Sequence, residues 1–271
     1  GEKLPQTECL LHSAPLTGFS PGQTVEYEVR SGGEVRKGRF KTAPPAGTPV
    51  VFAATGDSQG PPSLHKMVAD ALALYRPDFM LHVGDLTDKG AEWGRWREEL
   101  FNPGAAYFTQ SVFAPTIGNH DGGPYYPRLF DARENAYYCF EYGDVFVASL
   151  ASYGQGLSRS KRPEQLQWLD ERLAATGARW KVINLHIPMV TTTAAASWFG
   201  LNDFQPLLEK HNVDLVVCGH HPIYRRYLPL GEPGRHPILH VTTGGAGGVG
   251  SPIPSPILSQ GGDTQHFTIF K

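Results

Sequence analysis

Five short apolar runs in this chain of 271 residues each end in a side chain that can bind a metal ion. The runs are VVFAATG, FMLHVG, VFAPTIG, KVINL and DLVVCG, and they are followed in this order by Asp57, Asp85, Asn119-His120-Asp121, His186 and His220. Short, continuous apolar runs are typical of strands that are covered on both faces. In open α/β sheets, ligands bind at the edge formed by the carboxyl ends of the strands. The pattern therefore predicts one sheet edge that carries all of these polar side chains.

Segments with helical spacing lie between the apolar runs. They cover residues 64–75, 93–101, 164–175 and 204–210. Pro163 stands at the start of the third segment and Gly177 lies beyond its end, as expected for the two ends of a helix. Because strands alternate with helices along the chain, the sequence predicts an α/β fold.

The first 47 residues follow a different pattern. Residues 23–30 and 34–42 alternate between apolar and polar side chains, and Ser31-Gly32-Gly33 between them favours a hairpin turn. A lone hairpin is only marginally stable. We therefore expect it to pack on the main domain or to be part of a larger β module, and we place the domain boundary between residues 1–47 and 48–271.

Charge and composition narrow the classes of partner. The net charge is −2 and the isoelectric point is about 6.6, so no overall basic field exists to hold nucleic acid, and we expect no nucleic-acid partner. No apolar run reaches the ~18 residues of a membrane span. Residues 1–11 lack the profile of a signal peptide. The three cysteines are widely spaced and odd in number, which excludes a disulfide scaffold and a cysteine zinc cluster.

The donor types at the strand ends favour a transition metal. Aspartate, asparagine and histidine form a mixed oxygen and nitrogen set that suits Mn, Fe, Zn or Co better than calcium. Each feature alone has an ordinary explanation, since Gly-Asp after a strand is commonly a turn. Five such features in the same topological place favour a metal site.

The motifs, taken in order, resemble those of the calcineurin-like metallophosphoesterases. They are Gly56-Asp57, Gly84-Asp85, Gly118-Asn119-His120-Asp121, His186 and Gly219-His220. Residues 16–47 resemble the last strands of the fibronectin-III-like domain in the purple acid phosphatase branch, and residues 238–248 resemble a late segment of its catalytic domain. The resemblance implies layered β-sheets flanked by helices over residues 48–271, preceded by a partial fibronectin-III-like β segment. It also favours an extracellular or periplasmic location.

The same resemblance implies a role for each motif residue. Two metal ions (Fe, Mn or Zn) would be bound: the first by Asp57, both by Asp85, and the second by the set Asn119, His186 and His220. His120 would contact the phosphate and protonate the leaving oxygen, with Asp121 holding its ring. Two metals ~3.5–4 Å apart lower the pKa of a bound water and neutralise phosphoryl charge.

Three departures from the family pattern concern the first metal. Asp88 stands where purple acid phosphatases have a tyrosine ligand, Pro222 replaces the second histidine of Gly-His-x-His, and Gln59 replaces the histidine of Asp-x-His. The first metal site is therefore expected to be weak. Gln59, Asp88 or His221 are candidates to compensate as ligands or as neighbours of ligands.

Other residues near the motifs have two readings each. Tyr125 and Arg225 are candidates for substrate binding, against packing for the tyrosine and surface charge for the arginine. His82 is expected in the core or beside the site, and His65 is expected to be exposed at a helix end.

The leading functional hypothesis is a metallophosphoesterase acting on small phosphorylated substrates, most simply phosphomonoesters. The alternatives are a phosphodiesterase or nuclease on the same core, and a weakened relative with a binding role.

Overall fold

A computed structural model describes residues 1–152, 161–190, 201–231, 233–250, 258–262 and 264–271. The strands are β1 (Glu2–Lys3), β2 (Leu10–Leu11), β3 (Thr24–Ser31), β4 (Glu34–Lys41), β5 (Phe52–Thr55), β6 (Phe79–His82), β7 (Val112–Pro115), β8 (Tyr138–Tyr142), β9 (Val145–Leu150), β10 (Trp180–Leu185), β11 (Leu215–Cys218), β12 (Tyr224–Tyr227), β13 (Leu239–Thr243), β14 (Leu258–Gly262) and β15 (Thr268–Phe270). The helices are α1 (Pro62–Leu74), α2 (Trp93–Arg95), α3 (Ala105–Phe108), α4 (Tyr126–Leu129), α5 (Arg162–Ala175) and α6 (Leu201–Lys210), and a π-helical segment (Trp96–Phe101) follows α2 directly.

Two large sheets carry most of these strands. One has the order β14-β12-β13-β11-β10-β9-β8, and the other has the order β15-β5-β6-β7. The strands β5, β6 and β7 are parallel, as are β9, β10, β11 and β13. The remaining strands of the two sheets pair antiparallel. The carboxyl ends of the parallel strands therefore lie at one edge of each sheet.

The two sheets pack face to face with helices outside them. Along β10, Val182 belongs to the core between the sheets, whereas Ile183 and Leu185 pack in the core that also contains α5 and α6. On the other side, α1 packs against β5 and β6. This alternation explains the continuous apolar runs, because each strand is covered on both faces. The predicted α/β fold with layered sheets flanked by helices is confirmed.

The helix predicted over residues 93–101 changes its pitch part of the way along. After α2 the chain continues as the π-helical segment, whose end is marked by a bond from Asn102 N to Arg97 O at 2.9 Å, five residues apart. Trp96, Glu99 and Leu100 form its buried side. π-helical segments are rare, and many of those that occur lie at functional sites.

The N-terminal hairpin forms as predicted and is fastened to the main body. Its strands β3 and β4 pair from Thr24↔Lys41 to Ser31↔Glu34. Arg39 N donates to Thr109 O at 2.8 Å, and the Tyr142 hydroxyl donates to Lys41 O at 2.8 Å. The division of the chain at residue 47 and the fibronectin-III-like character of this segment stay predictions. In the ranges described, we find no helix with the length and apolarity of a membrane span.

Candidate metal centre

The loops after β5 and β6 make the same unusual turn. Asp57 and Asp85 have φ values of 55° and 51°, a left-handed conformation that is uncommon outside glycine. Cross-bonds hold the two loops together, since Asp57 N donates to Gly84 O and Ser58 N donates to Asp85 O, both at 2.9 Å. Strain of this kind persists where the surroundings fix it, which is common at active sites. The two predicted carboxylates therefore lie on adjacent, locked turns.

Asp85 is the hub of the site. Its Oδ1 accepts the backbone N–H of His120 at 2.9 Å, and its Oδ2 lies 3.2 Å from His186 Nε2. The amide of Gln59 donates to the same Oδ2 at 3.2 Å. The Asp85 carboxylate is buried, so each of its neighbours must be compatible with a negative charge.

The tautomer of His186 follows from its other contact. Its Nδ1 donates to Val83 O at 2.8 Å, because a carbonyl oxygen can only accept. The remaining nitrogen, Nε2, faces two acceptors, Asp85 Oδ2 and, at 3.1 Å, Asn119 Oδ1. A neutral ring would place a lone pair against both oxygens. The three atoms therefore need a positive charge: either the ring carries a second proton, or these residues would hold a metal ion.

His220 adds a further donor to the same place. Its Nδ1 lies 2.9 Å from Asn119 Oδ1, and ligand atoms of Asp85, His186 and His220 all fall within 4.8 Å of one another. The predicted second-metal residues are therefore brought together by the fold. Carboxylate, amide and two imidazoles form a donor set that fits Zn or Mn-like ions.

The close packing of these groups shifts their pKa values. Burial lowers the pKa of His186, but its bond to Asp85 and the charges of Asp85 and Asp57 outweigh burial and raise it to about 9. Burial raises the pKa of Asp85, and its contact with His186 brings it below the ordinary value. Burial and the His186 charge lower the pKa of His220 to about 4, so its ring is neutral at neutral pH and has a lone pair to offer.

The first site contains buried carboxylate and amide oxygen atoms. Asp57 Oδ2 accepts the His220 N–H at 3.0 Å, while Asp57 Oδ1 and Gln59 Oε1 are buried and have no hydrogen-bond partner among the residues that the structure describes. Burial raises the pKa of Asp57 well above its ordinary value. A buried acceptor left unpaired costs about 1–3 kcal/mol, and a cation would relieve that cost. These residues therefore fit the ion of the first site, which oxygen atoms would hold.

Glycines make room for the Asp57 carboxylate. A Cβ at Gly219 or at Gly244 would lie 2.5 Å from Asp57 Oδ2. In addition, the N–H groups of Gly247 and Gly248 donate to Asp57 O at 3.1 and 2.8 Å. The glycine-rich segment after β13 thus closes the floor of the site.

His120 lies at the solvent-exposed side of the site, where its ring contacts Asp88. Its Nδ1 is 2.9 Å from Asp88 O and 3.3 Å from Asp88 Oδ1, and its Nε2 is 4.0 Å from Asp85 Oδ2. The side chain of His120 is 39% exposed. Because the carbonyl of Asp88 only accepts, Nδ1 carries a proton and Nε2 faces the metal centre.

The contact predicted between Asp121 and the His120 ring is replaced by this contact with Asp88. The buried Asp121 carboxylate instead accepts backbone N–H groups of Gly118 and Leu86, both at 2.7 Å, and of Thr87 at 3.3 Å. Burial and the charge of Asp85 raise the pKa of Asp121 to about 7. Asp121 therefore braces two motif loops against each other. Asp88 accordingly lies beside His120, in the outer part of the site.

Three further assignments are corrected by burial. Tyr125 is buried, with its hydroxyl donating to Pro5 O at 2.9 Å and its ring against Trp93, so it packs and does not line the site. Arg225 is 3% exposed on β12, which is paired on both sides by β13 and β14, so it is neither a surface charge nor open to substrate. His65 is buried and not exposed.

Two histidines lie close to the ligands. The His221 ring is half-buried and lies edge-on to His220, with ring centroids 5.2 Å apart. His82 is buried with Nε2 3.2 Å from the hydroxyl of Ser58, which also donates to Leu86 O at 2.8 Å. The expectation that His82 lies in the core or beside the site is confirmed.

Sequence reasoning missed the groups that hold the loop of Asp88. The Thr87 hydroxyl and the Asp88 N–H both donate to Glu99 Oε2, at 3.1 and 2.6 Å. No spacing rule links residue 99 to residue 88. The one available signal is a carboxylate that falls on the apolar side of a helical segment.

Comparisons with known proteins agree with this geometry. A model of the calcineurin-like phosphoesterase family matches residues 50–224. Purple acid phosphatase 18 of Arabidopsis thaliana is 27% identical over 248 residues, which cover 82% of this chain and 55% of the plant protein. An uncharacterized protein of Mycobacterium tuberculosis is 28% identical over 284 residues, covering 83% of this chain and 52% of that protein.

Solved structures share the fold. Purple acid phosphatase PPD1 from yellow lupin seeds superposes with a TM-score of 0.76 at 19% identity, covering 94% of this chain and 56% of that one. GAP50 of Plasmodium has a TM-score of 0.65 at 15% identity, covering 81% of this chain and 80% of that one. The present chain spans about half the length of the curated relatives it matches. Since the family model covers well over half of its residues, and the predicted motifs meet at one site, the chain belongs to the calcineurin-like phosphoesterase family.

Proposed function

We propose that the protein hydrolyses small phosphomonoesters with two bound metal ions drawn from Fe, Mn and Zn. The observation that carries the proposal is the convergence of Asp85, Asn119, His186 and His220 beside Asp57, with His120 Nε2 facing the same place. Ions bound there would supply an activated water and neutralise charge on the phosphoryl oxygens. The curated relatives named as purple acid phosphatases support a phosphatase activity.

The residues of the chain divide the work between them. Val83 O fixes His186 so that Nε2 points toward Asp85. Asp85 would bind both ions, as the family resemblance implies. His120 keeps one proton on Nδ1 through Asp88, so only Nε2 can give a proton to the leaving oxygen. A positioned general acid contributes roughly 10²–10⁴-fold in rate. His120 would therefore matter most for substrates whose leaving group needs that proton.

The two metal positions are proposed to differ in strength. The second has a mixed nitrogen and oxygen set, whereas the first draws on oxygen atoms of Asp57, Asp85 and Gln59. Oxygen-rich sites favour harder ions such as Mn²⁺. Pro222 offers no ligand where the family motif has a histidine. We accordingly propose that the first ion is held more loosely. By the same resemblance, an extracellular or periplasmic location is proposed.

The remodelled first site also favours a second candidate function, a catalytically weak relative that acts by binding. Asp88 contacts His120, so the position of the family's tyrosine ligand is used for another purpose here. The structural neighbour GAP50 is described as an anchor in the inner membrane complex of Plasmodium. A protein of this kind would bind metal but turn over phosphate esters poorly.

Turnover measured together with metal content separates these functions. The protein would be stripped with chelator, reloaded with Mn²⁺, Zn²⁺ or Fe, and assayed on p-nitrophenyl phosphate and on bis(p-nitrophenyl) phosphate. We expect metal-dependent hydrolysis with the monoester preferred. Preference for the diester would assign a phosphodiesterase instead. Bound metal without turnover of either ester would assign the binding role.

A further inference from the structure

A buried glutamate stands behind the loop that holds His120. Glu99 is 3% exposed and lies on the π-helical segment. Its Oε2 accepts the Thr87 hydroxyl at 3.1 Å and the Asp88 N–H at 2.6 Å, and its Oε1 accepts the Arg95 guanidinium at 3.0 Å. Burying a carboxylate is costly unless it is paired and hydrogen-bonded in this way. An apolar residue would pack better at this buried position, so the carboxylate of Glu99 indicates a role other than packing.

Glu99 is connected to His120 through Asp88. The residue that Glu99 holds by its N–H, Asp88, accepts the Nδ1 proton of His120 on its own carbonyl oxygen at 2.9 Å. The Asp88 carboxylate lies 3.3 Å from the same nitrogen. A displacement of Asp88 would therefore release the proton that fixes the tautomer of His120.

The π-helical segment grips the same loop at a second point. Trp96 Nε1 donates to Gly90 O at 2.9 Å, and Gly90 N donates to His120 O at 2.7 Å. A Cβ at Gly90 would lie 2.3 Å from the backbone of Asp121, so the loop and the His120 strand end are in direct contact. Trp96 and Glu99 both lie on the buried side of the π-helical segment, and together they hold both ends of this loop.

The segment is itself anchored from behind. His65 Nδ1 lies 2.6 Å from Glu99 O, and His65 Nε2 lies 2.9 Å from the Tyr107 hydroxyl. These bonds join α1, α3 and the π-helical segment. Glu99 is thus part of a rigid support, as a precisely oriented catalytic group requires.

We propose that Glu99 is a positioning residue for the proposed hydrolysis: by holding Thr87 and Asp88, it fixes the His120 ring with Nε2 toward the leaving group. The inference rests on the proposed function, and it predicts a specific pattern of loss. Misplacement of a catalytic group by about 1 Å costs on the order of 10²-fold. Loss of Glu99 should lower kcat while KM and the metal content stay unchanged, because neither the ligands nor the substrate contact Glu99 in this account.

The test compares Glu99→Ala and the isosteric Glu99→Gln, with Glu98→Gln as the matched control, since Glu98 is an exposed acid on the same segment. Each would be assayed on p-nitrophenyl phosphate, whose p-nitrophenolate leaving group needs no proton, and on an alkyl phosphate, whose alkoxide leaving group needs one. For Glu99→Ala we expect kcat on the alkyl ester to fall by roughly 10–100-fold and much less on the aryl ester. Glu99→Gln should recover part of the loss, since its amide oxygen can still accept from Asp88.

Two further measurements decide the mechanism. In a His120→Ala background, Glu99→Ala should cause no further loss of kcat. The ring ¹⁵N shifts of His120 should report the Nδ1–H tautomer in the wild type and a mixture of tautomers in Glu99→Ala. Equal losses on both esters, additive losses in the double variant, or an unchanged His120 tautomer would each overturn the proposal.

These readouts also separate this proposal from the proposed function. If the wild type hydrolyses no phosphate ester, the proposed function fails, and the ¹⁵N experiment still decides whether Glu99 controls His120. If Glu99→Ala does not fold, Thr87→Val removes one bond to Glu99 and should give a smaller change in the same direction; an unchanged His120 tautomer in that variant would count against the proposal.

Discussion

The neutral, buried ring of His65 makes stability depend on pH in a calculable way. Burial lowers its pKa from the ordinary 6.5 to about 4, although the Glu99 carbonyl opposes the shift. At about 1.4 kcal/mol for each unit of pKa difference, the gap corresponds to about 3 kcal/mol. Because the unfolded chain binds the proton first, the contribution is complete above pH 6.5 and is lost as the pH falls toward 4.

His65→Leu isolates this contribution. At pH 7 the variant should be less stable, since Glu99 O and the buried Tyr107 hydroxyl each lose a partner at about 1–3 kcal/mol. Between pH 7 and pH 4.5 the wild type should lose about 2 kcal/mol more than the variant, so that the two curves converge. Urea unfolding in chelator, over this pH range, measures the difference directly.

A matched control keeps other histidines out of the comparison. His240 is also buried with a lowered pKa, and it contributes equally to the wild type and to His65→Leu. His12→Leu, a change at an exposed histidine, should give a curve parallel to the wild type. If the curves of His65→Leu and the wild type were parallel as well, His65 would titrate normally and the account of this buried contact would be refuted.

Three further predictions concern the site itself. Gly84→Ala should weaken metal binding by about 10–100-fold, because Gly84 has φ +91° and a Cβ there would lie 2.6 Å from His186 Nδ1; calorimetric titration with Zn²⁺ checks this, and unchanged affinity would contradict it. His120→Ala should keep its metals and lose roughly 10²–10⁴ in rate, whereas loss of metal would make His120 a ligand. Dialysis should empty the Asp57 site first and lower the activity, which added Mn²⁺ should restore; two equally tight sites would refute this. The iron-loaded protein should be colourless, since Asp88 replaces the tyrosine ligand, and a visible charge-transfer band would contradict that expectation.

The sheet edge could be predicted because its rules are local. Each ligand follows a short apolar run, and parallel strands place their carboxyl ends together whatever the details of packing. The strand pattern alone was therefore enough to predict the positions of Asp57, Asp85 and His186. Each of the two aspartates stands directly after a glycine and has a left-handed φ. Hydrogen bonds between the two loops fix this conformation, and such bonds between distant segments cannot be predicted from either segment alone.

Side-chain direction was the harder part. The helical spacing over residues 64–75 places Met67 on the apolar side with Val68 and Leu72. In the structure Met67 is 54% exposed, while His65 and Ala69 are buried. The helix is therefore turned by about one residue, because α3 and the Glu99 carbonyl offer His65 two partners that spacing alone cannot show. Asp121 likewise follows His120 directly in the chain yet points into the protein toward Leu86 and Gly118. Neighbouring loop residues share a location but not a direction.

The number of metal ions bound per chain shows whether Asp85 and His186 are metal ligands. Mass spectrometry of the metal content would compare the wild type with Asp85→Ala, His186→Ala and the control His236→Ala, whose histidine pairs with Asp214 away from the site. We expect bound metal in the wild type and the control, and loss of most of it in both site variants. Full metal content in Asp85→Ala and His186→Ala would contradict the assignment of this sheet edge as the metal centre.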